Sequence, residues 1–191
     1  MILQPEMVLY HGSYTEIESI DLRKCDEAKD FGRGFYLTSS QKQAAAFIKT
    51  ALAKAKRNGR IPAEQTHGFV TEYQFCFDPN IRYYEFEETN KDWLYYIAVN
   101  RRSMLAKNLK PLLSRDFDRY EILAGKIAND DTNVTLNTFL AGVYGEVDSS
   151  MAFETVTHLL KPERLHDQFC FKTERAIRTL KKLGAERYEI S

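Results

Sequence analysis

The chain has 191 residues, of which 43% are hydrophobic and 13% aromatic, and its 27 basic residues balance its 27 acidic residues, so the formal net charge is zero. This length predicts one domain, over residues 1–191, with a core large enough to be stable without disulfides. Without a basic excess, the protein is not expected to cover a long stretch of nucleic-acid backbone. No apolar run is long enough to span a bilayer, so no membrane association is expected.

Short apolar or alternating runs predict the strands of the N-terminal half. These strands lie at residues 7–10 (closed by a turn at 12–13), 34–38, 69–77 and 81–86. A helix is predicted from the capping box of Ser40 and Gln43 to Arg57, where Asn58 and Gly59 form a stop signal. Apolar residues at helical spacing predict another helix over 92–105.

In the C-terminal half, the sequence predicts strands, helices and a polar loop in an irregular order. The predicted elements are a strand at 120–124, a loop at 128–133, helices at 136–143 and 151–160, and a strand at 168–172. Thr173 should then cap a basic helix that ends at Gly184, before a last strand at 186–190. Strands and helices intermix without βαβ regularity, so we expect an α+β fold with antiparallel-rich sheets.

The three cysteines, Cys25, Cys76 and Cys170, are widely spaced, and neither they nor the four histidines show the spacing of a metal site. Cys76 and Cys170 each lie between two phenylalanines, so we interpret them as small strand residues and not as catalytic thiols. Free thiols without an N-terminal secretion signal predict a cytoplasmic location.

Two N-terminal motifs carry most of the chemical information. Residues 9–13 read Leu-Tyr-His-Gly-Ser, which places the imidazole of His11 beside Gly12, whose backbone is able to approach a ligand closely. Residues 30–38 read Asp-Phe-Gly-Arg-Gly-Phe-Tyr-Leu-Thr, with an arginine between two glycines before a short strand. Each motif alone is also typical of ordinary strand ends and turns.

At this spacing the two motifs resemble the opening of diphtheria-toxin-like ADP-ribosyltransferases, the His-Tyr-Glu type. More narrowly, the chain resembles an uncharacterised bacterial branch of that superfamily. The resemblance continues at residues 92–94, 100–101, 120–125, 128–130 and 167–174. It implies an ADP-ribosyltransferase-like fold, in which two antiparallel-rich sheets form a split sandwich with flanking helices. It also implies NAD as the substrate; the fingerprint of Rossmann-type NAD binding is absent from the sequence.

The resemblance implies three catalytic residues, His11, Tyr36 and Gln168. In the family the histidine holds the nicotinamide-side ribose, and the tyrosine packs on the nicotinamide ring. Gln168 takes the late-strand position, where most active transferases have a glutamate that bonds the ribose 2′-hydroxyl and helps to activate the acceptor. A glutamine amide still donates and accepts hydrogen bonds, but it cannot take a proton. Asp167 is expected on the opposite sheet face and is a weak substitute.

Further NAD contacts are predicted around these residues. Arg33 is suited to a bidentate contact with the pyrophosphate, although a solvated loop arginine is an equally good interpretation. Asp30 is expected to orient its loop, and the resemblance gives Asn129 and Asp130 a site-building role, although both residue types also favour turns. The full predicted set is His11, Gly12, Ser13, Phe31, Arg33, Gly34, Tyr36, Leu37, Thr38, Asn129 and Asp130.

These features together predict a cytoplasmic NAD-dependent mono-ADP-ribosyltransferase. By family analogy it would act on a macromolecular target, as a bacterial toxin of a toxin–antitoxin or defence system, with a small antitoxin protein as a partner. Two alternatives stay open. One is a non-catalytic NAD- or ADP-ribose-binding module, which Gln168 favours, and the other is an NAD glycohydrolase with water as the acceptor.

Overall fold

Two separate β-sheets with flanking helices form the structure. The computed structural model describes residues 3–102, 104, 107–127, 130–160 and 166–190, with only the backbone described at 130–132. Its strands are β1 (Val8–Ser13), β2 (Phe35–Leu37), β3 (His67–Phe75), β4 (Tyr83–Glu85), β5 (Ile122–Lys126), β6 (Asp167–Phe171) and β7 (Leu180–Glu189). Its helices are α1 (Gln41–Arg57), α2 (Lys91–Arg101), α3 (Asp130–Leu140), α4 (Ser150–Leu160) and α5 (Glu174–Ile177). Short 3-10 turns occur at Leu22–Lys24, Lys107–Leu112 and Phe117–Arg119.

The two sheets are mostly antiparallel, as the sequence predicted. One sheet has the order β1-β3-β7 and the other has the order β2-β6-β5-β4. All described pairings are antiparallel except that of β4 with β5. An antiparallel backbone bridge between Tyr10 and Thr38 connects β1 to the end of β2, so the two sheets meet at this point. The protein is therefore an α+β protein with two sheets.

Three apolar clusters hold the layers together. The first lies between the sheets and takes side chains from both, including Leu9, Phe35, Tyr73 and Phe171. The second lies on the other face of the four-stranded sheet, where α2 contributes the fully buried Trp93. The third joins α1 to the outer face of β1 and β3. Both faces of β2 and β6 are thus covered, which explains their continuous apolar sequences.

Helix α1 follows the sequence prediction closely. Ser40 is its N-cap and accepts a hydrogen bond from the Gln43 amide, and Gly59 adopts a positive φ of 64° just after the helix end. The capping box is only half formed, because the Gln43 side chain accepts from the Thr38 hydroxyl at 2.8 Å instead of returning to the cap. That contact ties the start of α1 to the end of β2.

The predicted turn at residues 12–13 is wrong. Strand β1 continues through Gly12 and Ser13, which pair with Val70 and Phe69 of β3. Gly12 is required here by packing, because a Cβ built on it would overlap the carbonyl oxygen of Ala44 in α1 and lie 2.8 Å from the carbonyl carbon. The glycine therefore marks a close helix–strand contact and not a chain reversal.

The predicted basic helix after Thr173 is also largely wrong. Thr173 does cap a helix, accepting from the Ala176 amide, but α5 ends at Ile177 and the chain then forms the long strand β7. Leu180 and Leu183 are three residues apart, a spacing that is also typical of a helix. A register shift opposite Glu72 and Tyr73 leaves Leu183 unpaired on β7 and exposed, which accounts for that spacing within a strand.

Two smaller predictions also need correction. The predicted polar loop over 128–133 is helical from Asp130 onward, while residues 128 and 129 lie outside the described residues. Cys76 is exposed just beyond the end of β3, although Cys170 is a buried strand residue as predicted.

Candidate functional site

His11 lies on β1 at the place where the two sheets separate. Its Nδ1–H donates to the carbonyl oxygen of Tyr36 at 2.8 Å, and its ring lies 4.4 Å from the ring of Phe35. This bond fixes the tautomer, so a neutral imidazole offers Nε2 as an acceptor. Burial lowers the pKa of His11 below 6.5, and the positive charge of Lys29 lowers the pKa further. His11 is therefore neutral at physiological pH.

The His11 contact replaces a backbone pairing. The antiparallel bridge of Tyr10 with Thr38, if continued, would pair Gly12 with Tyr36. The ladder stops instead, and the Tyr36 carbonyl accepts from the imidazole. Because alternate residues of a strand direct their backbone groups to the same edge, the N–H and C=O of Gly12 face this gap, as those of Tyr10 face Thr38. The N–H and C=O of Gly12 therefore point toward the gap between Gly12 and Tyr36, where the ladder is interrupted.

Tyr36 is half-buried, and its hydroxyl is held by the preceding loop. The hydroxyl accepts from the Phe31 amide at 2.9 Å and donates to the Gly32 carbonyl at 2.7 Å. Its ring packs against the core cluster that includes α2. Burial raises the pKa of Tyr36 well above its ordinary value, so the phenol remains protonated. Its side chain is consequently a fixed neutral surface and not a proton donor or acceptor that titrates.

Gln168 lies on the same sheet face as Tyr36. Tyr36 pairs with Cys170 of β6, and Gln168 is two residues from Cys170, so the three side chains point to one face. Gln168 is only 6% exposed, and its Nε2 donates to Asp30 Oδ2 at 2.6 Å and to the Lys126 carbonyl at 3.1 Å. Asp167 lies on the opposite face, as predicted from strand geometry, and pairs with the Lys126 ammonium at 2.9 Å.

The three predicted catalytic residues thus lie around one structural feature. His11 contacts the backbone of Tyr36, while the side chains of Tyr36 and Gln168 both bond to the segment 30–32. Strands from both sheets and one loop are needed to bring them together.

Asp30 connects the loop to α2. Asp30 is buried, and its carboxylate pairs with the Arg101 guanidinium at 2.5 Å, while its backbone carbonyl accepts from the Asn100 amide at 3.2 Å. Arg101 also donates to Asn133 at 3.0 Å. Sequence reasoning gave Asn100 and Arg101 no role, and no local pattern relates them to a loop that lies seventy residues earlier.

The other predicted NAD contacts are not equally placed. Phe31 and Leu37 are core residues, with exposures of 0% and 2%, and Gly34 is packed against Cys170 and Phe171. Ser13 and Thr38 are buried next to the gap, at the end of β1 and at the bridge. Asn129 lies outside the described residues, and only the backbone of Asp130 is described, at the start of α3.

Arg33 is exposed and already has a charge partner. Its guanidinium forms an ion pair with Glu27, and it lines a depression of about 390 Å³ together with Tyr96 and Lys110. The ammonium of Lys29 lies 5.5 Å from the ring centre of Phe47, and its positive charge lowers the pKa of His11. Burial and the neighbouring Lys54 lower the pKa of Lys29.

Thr71 is a site residue that sequence reasoning missed. It is the β3 partner of His11 and is fully buried, and its hydroxyl has no hydrogen-bond partner among the described residues. A buried hydroxyl without a partner loses its hydration without compensation. Its alternating sheet position places it on the same face as His11, toward the space between the sheets.

Neither a metal cluster nor a membrane-spanning helix was found in the part of the chain that the structure describes. No group of three or more histidine, cysteine, aspartate or glutamate side chains there is arranged to hold a metal ion. No helix there is both long enough and apolar enough to cross a bilayer.

Comparison with known proteins gives a family but no activity. No curated protein matches the chain. A family model described as protein of unknown function (DUF3990) matches residues 7–182, a region that contains every described residue of the candidate site. Since this match covers most of the sequence, the chain belongs to the DUF3990 family.

Proposed function

We propose that the protein is an NAD-dependent mono-ADP-ribosyltransferase with an ADP-ribosyltransferase-like fold. The observation that carries the proposal is the gap between Gly12 and Tyr36, with the neutral imidazole of His11 at its edge. A primary amide such as that of nicotinamide both donates and accepts, and the backbone groups of Gly12 match that pattern. The split pair of sheets and the order of the motifs support the same conclusion.

Cleavage of the nicotinamide–ribose bond separates the C1′–N bond and leaves positive charge on the ribose. A lone pair of the acceptor then forms the bond to C1′, while neutral nicotinamide departs with the electron pair of the broken C1′–N bond. Groups that interact better with the cationic transition state than with NAD accelerate this step. In the proposed site, His11 Nε2 and the Gln168 oxygen accept from ribose hydroxyls, and the face of the Tyr36 ring packs on the positively charged pyridinium, an interaction of about 0.5–2 kcal/mol.

Gln168 favours the binding module as a second candidate. Both hydrogens of its amide are bonded inside the protein, and an amide cannot act as a general base. A transferase with this site therefore needs an acceptor that is already nucleophilic, such as a carboxylate, a thiolate or a ring nitrogen. A module that binds NAD or ADP-ribose without chemistry needs no acceptor.

Incubation of the purified protein with NAD labelled in the adenylate, together with a bacterial lysate, separates the possibilities. We expect label on a macromolecule and stoichiometric release of nicotinamide. Nicotinamide release without macromolecular label identifies an NAD glycohydrolase, and NAD binding with neither outcome identifies the module. Absence of binding overturns the proposal. The double variant His11→Ala/Gln168→Ala controls for contaminating activity.

The biological setting is inferred by analogy with the ADP-ribosyltransferase family that the chain resembles. A transferase of this kind acts on a macromolecular target inside the producing or receiving cell, and we propose that it is a toxin-like effector in the cytoplasm. A small antitoxin protein is then the expected neutralising partner. Expression of the protein should cause a growth defect that the His11→Ala variant does not cause. Co-expression of the antitoxin should relieve the defect.

A further inference from the structure

We propose that Asp30 is the positioning residue of the candidate site: paired with Arg101, its carboxylate fixes the amide of Gln168 so that the Gln168 carbonyl oxygen is the group offered to a ligand hydroxyl. This inference rests on the proposed function and assigns the hydrogen-bonding polarity of its late-strand residue.

Two acceptors determine which way the Gln168 amide points. The Asp30 carboxylate lies 2.6 Å from Nε2 and the Lys126 carbonyl lies 3.1 Å from it. Since an ionised carboxylate and a carbonyl only accept, both must face the NH₂ end of the amide. With the amide turned over, its oxygen would face two acceptors at these distances. The structure therefore allows one orientation of Gln168.

The remaining polar atom of Gln168 is its carbonyl oxygen. No hydrogen bond reaches that oxygen from the described residues, and it is not among their fully buried atoms without a partner, where only the Thr71 hydroxyl is found. The oxygen is consequently accessible and accepts, but does not donate. A sugar hydroxyl, which carries a proton to donate, is the matching ligand group.

Arg101 keeps the Asp30 carboxylate in place. The side chains of Asp30 and Arg101 are only 4% and 15% exposed. Removal of either charge would therefore leave the other charge buried without a partner. Asn100 fixes the backbone of Asp30 from the same helix. Because α2 anchors Asp30 from one side and Gln168 of β6 donates to it from the other, the loop before β2 has a fixed position.

Asp30→Asn tests the inference with almost no change of shape. The new amide keeps an oxygen for Arg101 but turns an NH₂ group toward the NH₂ group of Gln168. Gln168 then turns over and presents donors to the ligand. We expect NAD affinity, measured by calorimetry, to fall roughly tenfold or more, equivalent to about 1.4 kcal/mol.

The exchange variant Asp30→Asn/Gln168→Glu is the rescue. Its carboxylate on β6 accepts from the new amide and again offers an accepting oxygen to the ligand, so NAD affinity should recover relative to Asp30→Asn. The Lys126 carbonyl loses its donor in both variants, so recovery cannot be attributed to restored packing. If Asp30 had only a structural role, the second substitution would add to the damage of the first, and NAD affinity would not recover.

Gln168→Glu alone tests the contact without NAD. Two carboxyl groups would then share one proton, which raises the pKa of the pair in the folded state. The variant should therefore lose thermal stability as pH rises through that pKa, and the exchange variant should not show this loss.

The outcomes separate this inference from the proposed function. Wild-type protein that binds NAD, with unchanged affinity in Asp30→Asn, overturns the inference and leaves the proposed function standing. So does a lower affinity that the exchange variant fails to recover, or a parallel pH dependence of stability in Gln168→Glu and the exchange variant. Wild-type protein that does not bind NAD overturns the proposed function and the ligand role of Gln168 with it.

Discussion

At the scale of single residues, one hydrogen bond decides how the candidate site is built. His11 takes the Tyr36 carbonyl that would otherwise continue the strand pairing, which leaves Nε2 as the acceptor nitrogen of the neutral ring. Burial disfavours the charged ring and lowers the pKa of His11, and the bond to the Tyr36 carbonyl offsets only part of that shift.

The stability of the protein should decrease in mildly acidic solution because of His11. The pKa of His11 is lowered in the folded state, so below about 6.5 the unfolded chain binds a proton that the folded chain does not bind. The free energy of unfolding therefore falls as pH falls through that range, and this contribution is fully present above it. Denaturant unfolding over a series of pH values measures the slope.

His11→Asn is the matched control, since its amide nitrogen replaces Nδ1 as donor to Tyr36 and does not titrate. We expect the slope below about pH 6.5 to be shallower in the variant. Equal slopes in wild type and variant would show that His11 titrates normally and is not desolvated in the folded protein.

Tyr36 should separate stability from binding when two substitutions are compared. Tyr36→Phe keeps the ring but leaves the Phe31 amide and the Gly32 carbonyl without their partner, which costs about 1–3 kcal/mol of stability. If the ring stacks on nicotinamide, NAD affinity of the folded protein stays near wild type in Tyr36→Phe and is lost in Tyr36→Ala. Thermal unfolding and NAD titration of both variants provide the measurements. Equal affinity of Tyr36→Ala and wild type would make Tyr36 a core residue only.

At the scale of elements, the contact between α1 and β1 sets the position of the His11 strand. The backbone of α1 lies against Gly12, where no Cβ fits, and the Gln43 side chain holds the end of β2 through Thr38. One helix therefore aligns both edges of the gap. A shift of α1 would change the separation of the two strands that carry the candidate residues.

Gly12→Ala should consequently destabilise the protein by roughly 1–3 kcal/mol, because α1 must move to admit the methyl group. Gly184→Ala is the control: it is a glycine of the same sheet, and a Cβ there meets no atom within 4 Å. The control should be neutral or slightly stabilising, by about 0.4–1 kcal/mol at most, through the unfolded chain. Similar melting temperatures for the two variants would contradict the close packing of α1.

At the scale of the whole molecule, local patterns predicted the α+β class and most strands but not the long-range partners. The alternation of β3 and the cap of α1 are local, and both were readable. Strand β7 was not predicted, because the spacing of Leu180 and Leu183 also fits a helix. Pairing with the edge of β3 overrides that local preference.

The candidate site follows the same division. His11 and Tyr36 stand in short motifs that the sequence singled out. Asp30 and Gln168 lie 138 positions apart, and Asp30 and Arg101 lie 71 apart, so their pairing exists only after the sheets and α2 have assembled. Single-sequence reasoning gave Asp30 an orienting role in its loop but could not name the groups that it orients.

Alkylation of the buried thiol of Cys170 is a chemical probe of the four-stranded sheet. The thiol sits between Tyr36 and Leu123 in the strand register, fully buried, and burial raises its pKa to about 12. A thiol in that state is inert to alkylating reagents, because the thiolate is the reactive form. Cys25→Ser/Cys76→Ser leaves Cys170 as the sole cysteine of the chain.

The alkylation rate of that variant then reports how often the four-stranded sheet opens between β2 and β5. Saturating NAD should slow alkylation, since a ligand that binds only the closed form stabilises it by mass action. An equal rate with and without NAD, in protein shown to bind NAD, would mean that opening at Cys170 leaves the ligand in place. The alkylation rate of Cys170 thus measures the local opening of the strands that carry Tyr36 and Gln168.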